Sequence, residues 1–389
     1  MKVCYFITTL GHGRGGHFQS LKATVQSLRE RLQCVIVNAG RTNSPIVDST
    51  EAPVYNVRWN GINVPSALRR ACHIARNENP DVLHAFDSLS YFLARLIGKA
   101  MRLPVVLTKC GGPNPRCYFP YAKQLIVYSA ENEAYFERAR KFASSCLYRI
   151  PNRATELTDD TEGIRKIRRM LRGEAKVFLR INRFVEYYRT SIFQSVHLIK
   201  RLNAEGRSCQ LVLIGVPEDK RVFVEICGMR KRDIVILADD EYTVAAAQLV
   251  SVADFVIGTG RGVMEAASKG KVLLTPIKGG RYPLLITEDN LAAVMATNFS
   301  PRNVLAGFDE EANYQAIASL LTDDASLARQ GRWSREIFDR LFSMERVTDT
   351  YCDLYRKAEY DRKVSALDVL LNFCVCLRGF WRTGKQRWR

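Results

Sequence analysis

The sequence predicts an α/β protein built from two doubly wound parallel sheets. Apolar runs rich in valine and isoleucine alternate with helical patterns along the chain, which is typical of βαβ units whose sheet is buried on both faces. The length of 389 residues fits two domains better than one. A polar, charged stretch over 154–174 interrupts the alternation and separates the two sheets.

The elements of each half follow from these runs. Strands of the first half are predicted at 2–8, 34–38, 54–58, 81–86, 105–108, 124–128 and 147–150, and helices at 17–31, 65–77, 88–101 and 131–142. Strands of the second half are predicted at 176–181, 210–214, 234–237, 254–257 and 272–275, and helices at 191–205, 220–229, 243–252 and 263–269. The segment from Glu310 to about Asp361 has a mostly helical pattern.

These patterns predict four segments. Residues 1–152 form the first doubly wound domain, and 153–174 form a linker with a basic helix. Residues 175–345 form the second domain, and 346–389 form C-terminal helices with a basic amphipathic tail.

Charge and cysteine usage narrow the functional classes. The formal net charge of +18 predicts an anionic partner, which total charge alone cannot identify. Eleven cysteines without a C-x-x-C pair indicate a reducing, cytosolic compartment and no structural metal. We find no basic–aromatic nucleic-acid motif outside the C-terminal tail, and therefore predict no nucleic-acid partner.

The C-terminal segment 366–389 is distinctive. An apolar run from Ala366 to Leu377 is only about half as long as a membrane-spanning helix, and arginine, lysine and tryptophan follow it. Such a segment fits a helix lying in the interface of an anionic membrane. The alternative is a C-terminal helix packed on the protein, followed by a solvated tail.

A glycine-rich loop follows the first predicted strand. Gly11-His12-Gly13-Arg14-Gly15-Gly16 satisfies G-x-G-x-x-G, a pattern that lets backbone approach a pyrophosphate at a helix N-terminus. The dinucleotide fingerprint also requires an acidic residue after the second strand, and Asn38-Ala39 stands there instead. We therefore predict no nicotinamide cofactor, and retain Gly15 and Gly16 as residues at the carboxyl edge of the sheet.

A second glycine turn lies in the other half. Gly258-Thr-Gly-Arg-Gly262 follows a short apolar strand, and Glu265 is predicted in the first turn of the next helix. A carboxylate there can accept hydrogen bonds from a ribose diol while the exposed amides face a phosphate. Alternatively, Glu265 complements the helix dipole or completes a capping box.

Four further side chains are candidates for the chemistry. Arg183 follows a strand and Arg189 precedes a predicted helix, so together they could clamp a diphosphate. Lys109 and His84 end two strands of the first half. The alternatives are solvated arginines, an exposed loop lysine and a neutral structural histidine. The acidic run Asp239-Asp240-Glu241 is read as a solvated loop rather than a metal site.

Together these segments resemble glycosyltransferases of the GT-B fold, in particular the retaining family 4. The resemblance covers nearly the whole chain. Its closest matches are the Gly15-Gly16 loop, PDVLHAF at 80–86, YRIPNRA at 148–154, RINRFVEYYR at 180–189 and DFVIGTGRGVMEAASKGKVLL at 254–274. It implies two Rossmann-like domains facing across a cleft, with C-terminal helices and a nucleotide-sugar donor held by the second domain.

The resemblance also implies roles for particular residues. Glu265 resembles the ribose-binding glutamate, and Arg183 resembles the arginine that binds the donor diphosphate and supports the leaving group. Arg189 stands where the family has a partner lysine. The catalytic candidates are Arg183, Arg189, Lys109 and His84. The donor-binding candidates are Glu265, Gly258, Gly260, Arg261, Gly262, Gly15 and Gly16.

Two positions depart from the family pattern. Ile257 stands where the first glutamate of the E-x₇-E pattern is expected, and Lys109 stands where a histidine is common. The first departure affects contacts to the transferred sugar, and both leave open whether the chain is active. A catalytically inactive, membrane-associated relative is therefore one alternative. A nucleotide-sugar epimerase or hydrolase on the same fold is another.

The function implied is transfer of a sugar from a nucleotide-diphosphate donor to a saccharide or lipid-linked acceptor, with retention and without a metal or cofactor. A basic chain with an interfacial C-terminal helix suits bacterial cell-envelope polysaccharide or lipopolysaccharide synthesis. We expect a cytoplasmic protein, peripheral at the inner face of the membrane.

Overall fold

A computed structural model describes residues 1–362 and 365–386, with side chains through Trp381. The chain divides into two compact units. The N-terminal unit comprises Met1–Asn152 and the chain from Met344 onward, and the central unit comprises Arg153–Ser343. Arg387, Trp388 and Arg389, which belong to the predicted membrane segment, lie outside the described residues.

The N-terminal unit is built on a parallel sheet. Its strands are β1 Lys2–Thr9, β2 Gln33–Gly40, β3 Val54–Arg58, β4 Val82–Ala85, β5 Val105–Lys109, β6 Gln124–Val127 and β7 Cys146–Arg149. The strand order is β3-β2-β1-β4-β5-β6-β7, with every pairing parallel. Its first five helices are α1 Gly16–Leu28, α2 Pro45–Asp48, α3 Val64–Glu78, α4 Ser88–Met101 and α5 Ala130–Arg138.

The central unit repeats the doubly wound plan. Its strands are β8 Lys176–Ile181, β9 Cys209–Ile214, β10 Ile234–Leu237, β11 Phe255–Ile257, β12 Val272–Thr275 and β13 Leu284–Leu285. They are ordered β10-β9-β8-β11-β12-β13, and only β13 among them runs antiparallel to its neighbour. Its helices are α6 Thr161–Met170, α7 Glu186–Ala204, α8 Lys220–Cys227, α9 Asp240–Thr243, α10 Arg261–Ser268, α11 Glu288–Ala296, α12 Glu310–Ser319 and α13 Asp324–Ile337.

Both segments predicted to lie outside the domains pack into a unit. Ile164 and Ile167 of α6 are buried in the central core beside Leu249, so 153–174 is more than a linker. The chain returns to the N-terminal unit through α14 Thr348–Lys357 and α15 Ala366–Gln386. Apolar spacing along these helices explains the return, because it places one face of each against the first core. None of the helices in the described ranges is long and apolar enough to span a bilayer.

Helix α7 begins earlier than the sequence predicts. Phe184 is fully buried, and its amide donates to the carbonyl of Val216, which fixes the strand-to-helix loop within three residues of β8. Val185 is therefore the extended N-cap, and the helix starts at Glu186 instead of Ser191. As a result Arg189 lies in the first turn of α7 rather than before it.

Candidate active site

The central sheet reverses its winding direction between β8 and β11. From β8 the chain proceeds to β9 and β10 on one side, and it returns to β11 and β12 on the other. Val256 pairs with Leu179, so the loops that follow these two adjacent strands lie at the same carboxyl edge. In open α/β sheets, ligands bind in the crevice that such a reversal creates. Arg183 follows β8 and the glycine turn follows β11, which brings both predicted donor-binding segments to this crevice.

The turn after β11 depends on its glycines. A Cβ on Gly258 would lie 2.8 Å from the amide nitrogen of Val263, and Gly260 has a φ of 51°. A Cβ on Gly262 would meet nothing within 4 Å, so open space faces this position at the N-terminus of α10. Ile257, which precedes the turn, is buried in the core. That side chain therefore packs the sheet rather than facing the crevice.

Glu265 lies in the second turn of α10, and not in the first as predicted. The helix begins at Arg261 with Gly260 as N-cap, which makes Val263 the third helical residue and excludes Glu265 from a capping box. The Glu265 carboxylate is largely buried and accepts from Nε of Arg261 at 2.6 Å. Arg261 also donates to the carbonyl of Arg153 at 2.7 Å, so the pair is held from two sides.

The two predicted diphosphate-binding arginines each face a carboxylate. Arg183 is about half exposed and donates to Glu218 at 3.2 Å. Arg189 makes a bidentate pair with Glu225 and lies 5.1 Å from the centre of the Phe193 ring. Hydrogen bonds from Arg189 hold the pKa of Glu225 below its ordinary value and raise the pKa of Arg189. Such exposed pairs contribute little to stability, so an incoming diphosphate can compete for both cations.

Sequence reasoning missed the contribution of Arg180. This residue is the next to last of β8, three positions before Arg183, and it is 1% exposed. Its guanidinium donates to Asn182 at 3.0 Å and to Ser191 at 2.6 Å, with no carboxylate partner among the described residues. Burial lowers its pKa to about 10. Arg180 thus joins the end of β8 to the first turns of α7 and orients the segment that carries Arg183. Its place in an apolar strand is the signal that could have shown this role.

The N-terminal sheet also reverses its winding direction, between β1 and β4. Polar groups at and just after the ends of these two strands form hydrogen bonds with each other. Asp87 accepts from the amide of Thr8 at 2.8 Å and from the amides of Leu89 and Ser90 at 2.9 and 2.7 Å. Gly15 is the N-cap of α1, and a Cβ on Gly16 would meet nothing within 4 Å. Gly15 and Gly16 therefore lie at the carboxyl edge, as predicted, in a loop with space before it.

His84 does not have the accessibility that a catalytic role requires. It is fully buried on β4, its Nδ1 lies 2.7 Å from the Tyr355 hydroxyl, and its Nε2 lies 2.7 Å from the Thr108 hydroxyl. Burial lowers its pKa to about 3, which keeps the imidazole neutral. This arrangement corresponds to the structural alternative, because both ring nitrogens are engaged inside the protein.

Lys109 ends β5 and is partly buried. Its ammonium donates to the carbonyl of Gly111 and lies 3.4 Å from Oδ1 of Asn132. These contacts hold the Gly111-Gly112 turn against α5. Across the described ranges, no group of three or more histidine, cysteine or acidic side chains is arranged to hold a metal ion.

Comparison with known proteins gives a consistent answer at the level of fold. No protein-family model matches the sequence, and no curated protein does. Solved structures do match. Anabaena HepE in complex with UDP and glucose aligns with a TM-score of 0.62 and 14% identity, covering 91% of this chain and 99% of that one.

Two further structures extend the comparison. A glycosyltransferase from Rickettsia africae aligns with a TM-score of 0.63 and 14% identity, covering 92% of this chain and 98% of that one. UDP-GlcNAc 2-epimerase from Neisseria meningitidis, bound to UDP-GlcNAc, aligns with a TM-score of 0.56 and 11% identity, covering 92% and 100%. Together with the two sheets described above, these matches show that the chain has the GT-B fold, with two Rossmann-like α/β domains and C-terminal helices.

Proposed function

We propose that this protein is a glycosyltransferase that takes a sugar from a nucleotide-diphosphate donor bound at the carboxyl edge of the central sheet. The observation that carries the proposal is that Arg183 and the 258–262 turn follow two adjacent strands, β8 and β11, at the point where the sheet reverses, with Arg189 in the first turn of α7. HepE with UDP and glucose, and the epimerase with UDP-GlcNAc, are GT-B neighbours whose ligands support this ligand class.

The residues of this edge suit a departing diphosphate. Arg183 and Arg189 neutralise its negative charge, and Glu218 and Glu225 release them as the phosphates bind. The N-terminus of α10, which faces the space before Gly262, adds the favourable end of a helix dipole. Fixed charges aimed at a developing anion are usually the largest catalytic term. Glu265, held by Arg261, is the proposed ribose ligand.

The proposed stereochemical outcome is retention. In the proposed route, the acceptor hydroxyl attacks on the face that the diphosphate leaves, and its proton passes to the departing phosphate oxygen. The bond from the anomeric carbon to the phosphate oxygen breaks as the new glycosidic bond forms. This route requires no side chain as general base, which agrees with the buried, fully hydrogen-bonded state of His84.

The proposed acceptor is a saccharide or a lipid-linked saccharide of the bacterial cell envelope, with the enzyme peripheral at the cytoplasmic face of the membrane. Helix α15 supports membrane contact because it exposes Leu367, Leu370 and Trp381. Residues 369–389 contain five basic and no acidic residues. Anionic lipid attracts each basic residue near the surface by roughly 1 kcal/mol.

A donor screen with product analysis tests this proposal. The full-length protein is incubated with uridine, guanosine, cytidine and adenosine diphosphate sugars, with and without a membrane extract as acceptor. We expect one donor to release its nucleoside diphosphate in step with incorporation of sugar into the extract. Epimerised donor or free sugar formed at the same rate without acceptor would instead favour the epimerase or hydrolase function. Absence of any nucleotide binding would favour the inactive relative.

A further inference from the structure

A cavity of about 1060 Å³ lies inside the N-terminal unit, away from the edge described above. Its wall is formed by the segment before β6, the segment before β7, residues 359–362 and the start of α15. Its lining side chains include Tyr121, Lys123, Lys141, Leu367 and Leu371. Its volume is at the upper end of the range that accommodates small-molecule ligands.

The position of this cavity separates it from the reaction edge. Tyr121 and Lys123 precede β6, and Ser144 precedes β7, so the cavity opens at the amino ends of these strands. The glycine loop and Lys109 lie at the carboxyl ends of the same parallel sheet. The cavity and these loops therefore lie at opposite edges of one sheet.

A buried ion cluster fixes one wall. Asp368 accepts from Arg95 at 2.8 Å and from Lys141 at 2.6 Å, and its carboxylate also accepts from the amide of Tyr121 at 3.1 Å. One carboxylate thus faces two cations at this wall of the cavity. Because Asp368 and Arg95 are almost fully buried, the cluster anchors the start of α15 rather than serving as a solvated pair.

The opposite face of α15 is apolar and exposed. Leu367 is 65% exposed, Leu370 is 56% exposed and Leu371 is 38% exposed, and the first and last of these also line the cavity. Trp381 continues the same face, at 61% exposure. The cavity therefore opens directly beside an apolar helical surface, as required for a lipid chain that enters from a bilayer rather than from water.

The charges around this surface favour an anionic lipid. Lys123 donates to the carbonyl of Ser144 at 3.2 Å and has no ion-pair partner among the described residues. Glu359 and Asp361 also line the cavity, so its wall is of mixed charge. The net positive charge lies in the sequence that follows Asp368, which contains five basic and no acidic residues.

We propose that this cavity binds one anionic phospholipid of the bilayer, with an acyl chain along Tyr121, Leu367 and Leu371 and the phosphate at Lys123. The proposal rests on the membrane contact proposed above. It adds a binding site for one lipid molecule to the general attraction of helix α15 for an anionic membrane. A lipid held at the amino edge leaves the carboxyl edge free for chemistry.

Photolabelling in vesicles tests the site. The full-length protein is mixed with vesicles of phosphatidylcholine and phosphatidylglycerol in equal parts, which contain a trace of phosphatidylglycerol with a photoreactive acyl chain. We expect labelled peptides from 117–123 and 365–371. Labelling confined to other segments, or equal labelling by a phosphatidylcholine probe, would overturn the proposal. So would displacement of the probe by a polyprenyl-linked saccharide but not by phosphatidylglycerol, because the cavity would then be an acceptor site.

Matched variants supply the second measurement. Leu367→Glu and Lys123→Glu should each weaken vesicle binding and labelling by about tenfold or more. Val304→Glu is the control for the first, since Val304 is 67% exposed in the central unit, and Lys200→Glu is the control for the second. Thermal shift with nucleoside diphosphates should be unchanged in all four variants. If nucleoside diphosphates cause no thermal shift in the wild-type protein, the donor proposal is contradicted. The vesicle-binding and labelling results would not be affected.

Discussion

The two sheets share a winding plan but use their reversal points differently. In the N-terminal unit, Asp87 bridges the end of β1 to the start of α4, and both nitrogens of His84 are hydrogen bonded internally. In the central unit, Arg183 and Arg189 pair with partly exposed carboxylates, and open space faces Gly262. At the first edge Asp87 and His84 are committed to internal hydrogen bonds, whereas the arginines at the second can exchange their partners for an anionic ligand.

This difference shows that topology locates a possible site, whereas the state of its polar groups indicates which ligand it can take. A buried, satisfied group such as His84 gives up two hydrogen bonds if it moves. An exposed pair such as Arg183 with Glu218 gives up little. Four substitutions test whether the two edges differ in this way.

The largest effect is expected from Arg183→Ala. Removing a cation that stabilises the leaving diphosphate should lower kcat/KM for the donor at least about a hundredfold, in line with the loss of one preorganised transition-state contact. The melting temperature should stay within about a degree of wild type, because Arg183 is half exposed. Arg221→Ala, an exposed arginine of α8, is the matched control. Equal activity of the two variants would place the donor elsewhere.

The second effect concerns the space before α10. The methyl of Gly262→Ala meets no protein atom within 4 Å, so the fold should tolerate it, with a gain of up to about 1 kcal/mol from helix propensity. The same methyl occupies the proposed donor space and should raise the donor KM about tenfold or more. Gly173→Ala, which also meets nothing within 4 Å, is the control and should leave KM unchanged. An unchanged KM in Gly262→Ala would show that the donor does not approach this turn.

The third prediction concerns His84 and acid stability. Its pKa is about 3 in the folded state against an ordinary 6.5, so the unfolded chain binds one more proton between these values. The contribution of His84 to the unfolding free energy should therefore fall by about 1.4 kcal/mol for each pH unit below 6.5. His84→Gln should reduce the slope measured by urea unfolding and retain kcat at pH 7.5. A large loss of kcat with an unchanged slope would restore a catalytic role.

The smallest effect is expected from Glu218→Gln. The substitution releases Arg183 from its ion pair and should tighten nucleoside diphosphate binding by about threefold, within the range of exposed pairs. This gain in affinity should shrink at high salt, because salt screens both the Arg183–Glu218 pair and the attraction of Arg183 for the diphosphate. Glu288→Gln, at the start of α11, controls for the change in charge. Weaker binding in Glu218→Gln would mean that Glu218 contacts the donor itself.

Much of the architecture is predictable from the sequence because parallel strands are nearly continuous apolar runs. Strands β3, β8, β10 and β12 coincide with their predicted bounds. Two-residue β13 has too little pattern to predict, and the start of α7 depends on burial of Phe184 by residues that follow β9. The placement of Arg183 and the glycine turn at one edge follows from strand order alone.

The side-chain partners are less predictable because they join distant parts of the chain. His84 meets Tyr355, 271 residues later, and Arg95 meets Asp368 on the returning helix. Local pattern contains no information on either pairing. The glutamates opposite Arg183 and Arg189 are likewise 35 and 36 residues away. The fold and the sheet edge that carries the site could thus be predicted. The sequence did not show which polar groups at that edge can exchange their partners for a ligand.

The proposed donor site lies at the carboxyl edge of the central sheet. Hydrogen–deuterium exchange with and without the nucleoside diphosphate selected by the donor screen tests it most directly. We expect slower exchange in peptides covering 183–189 and 258–265, with no change in peptides covering 84–90. Protection confined to the N-terminal unit, with 258–265 unaffected at saturating nucleotide, would contradict it.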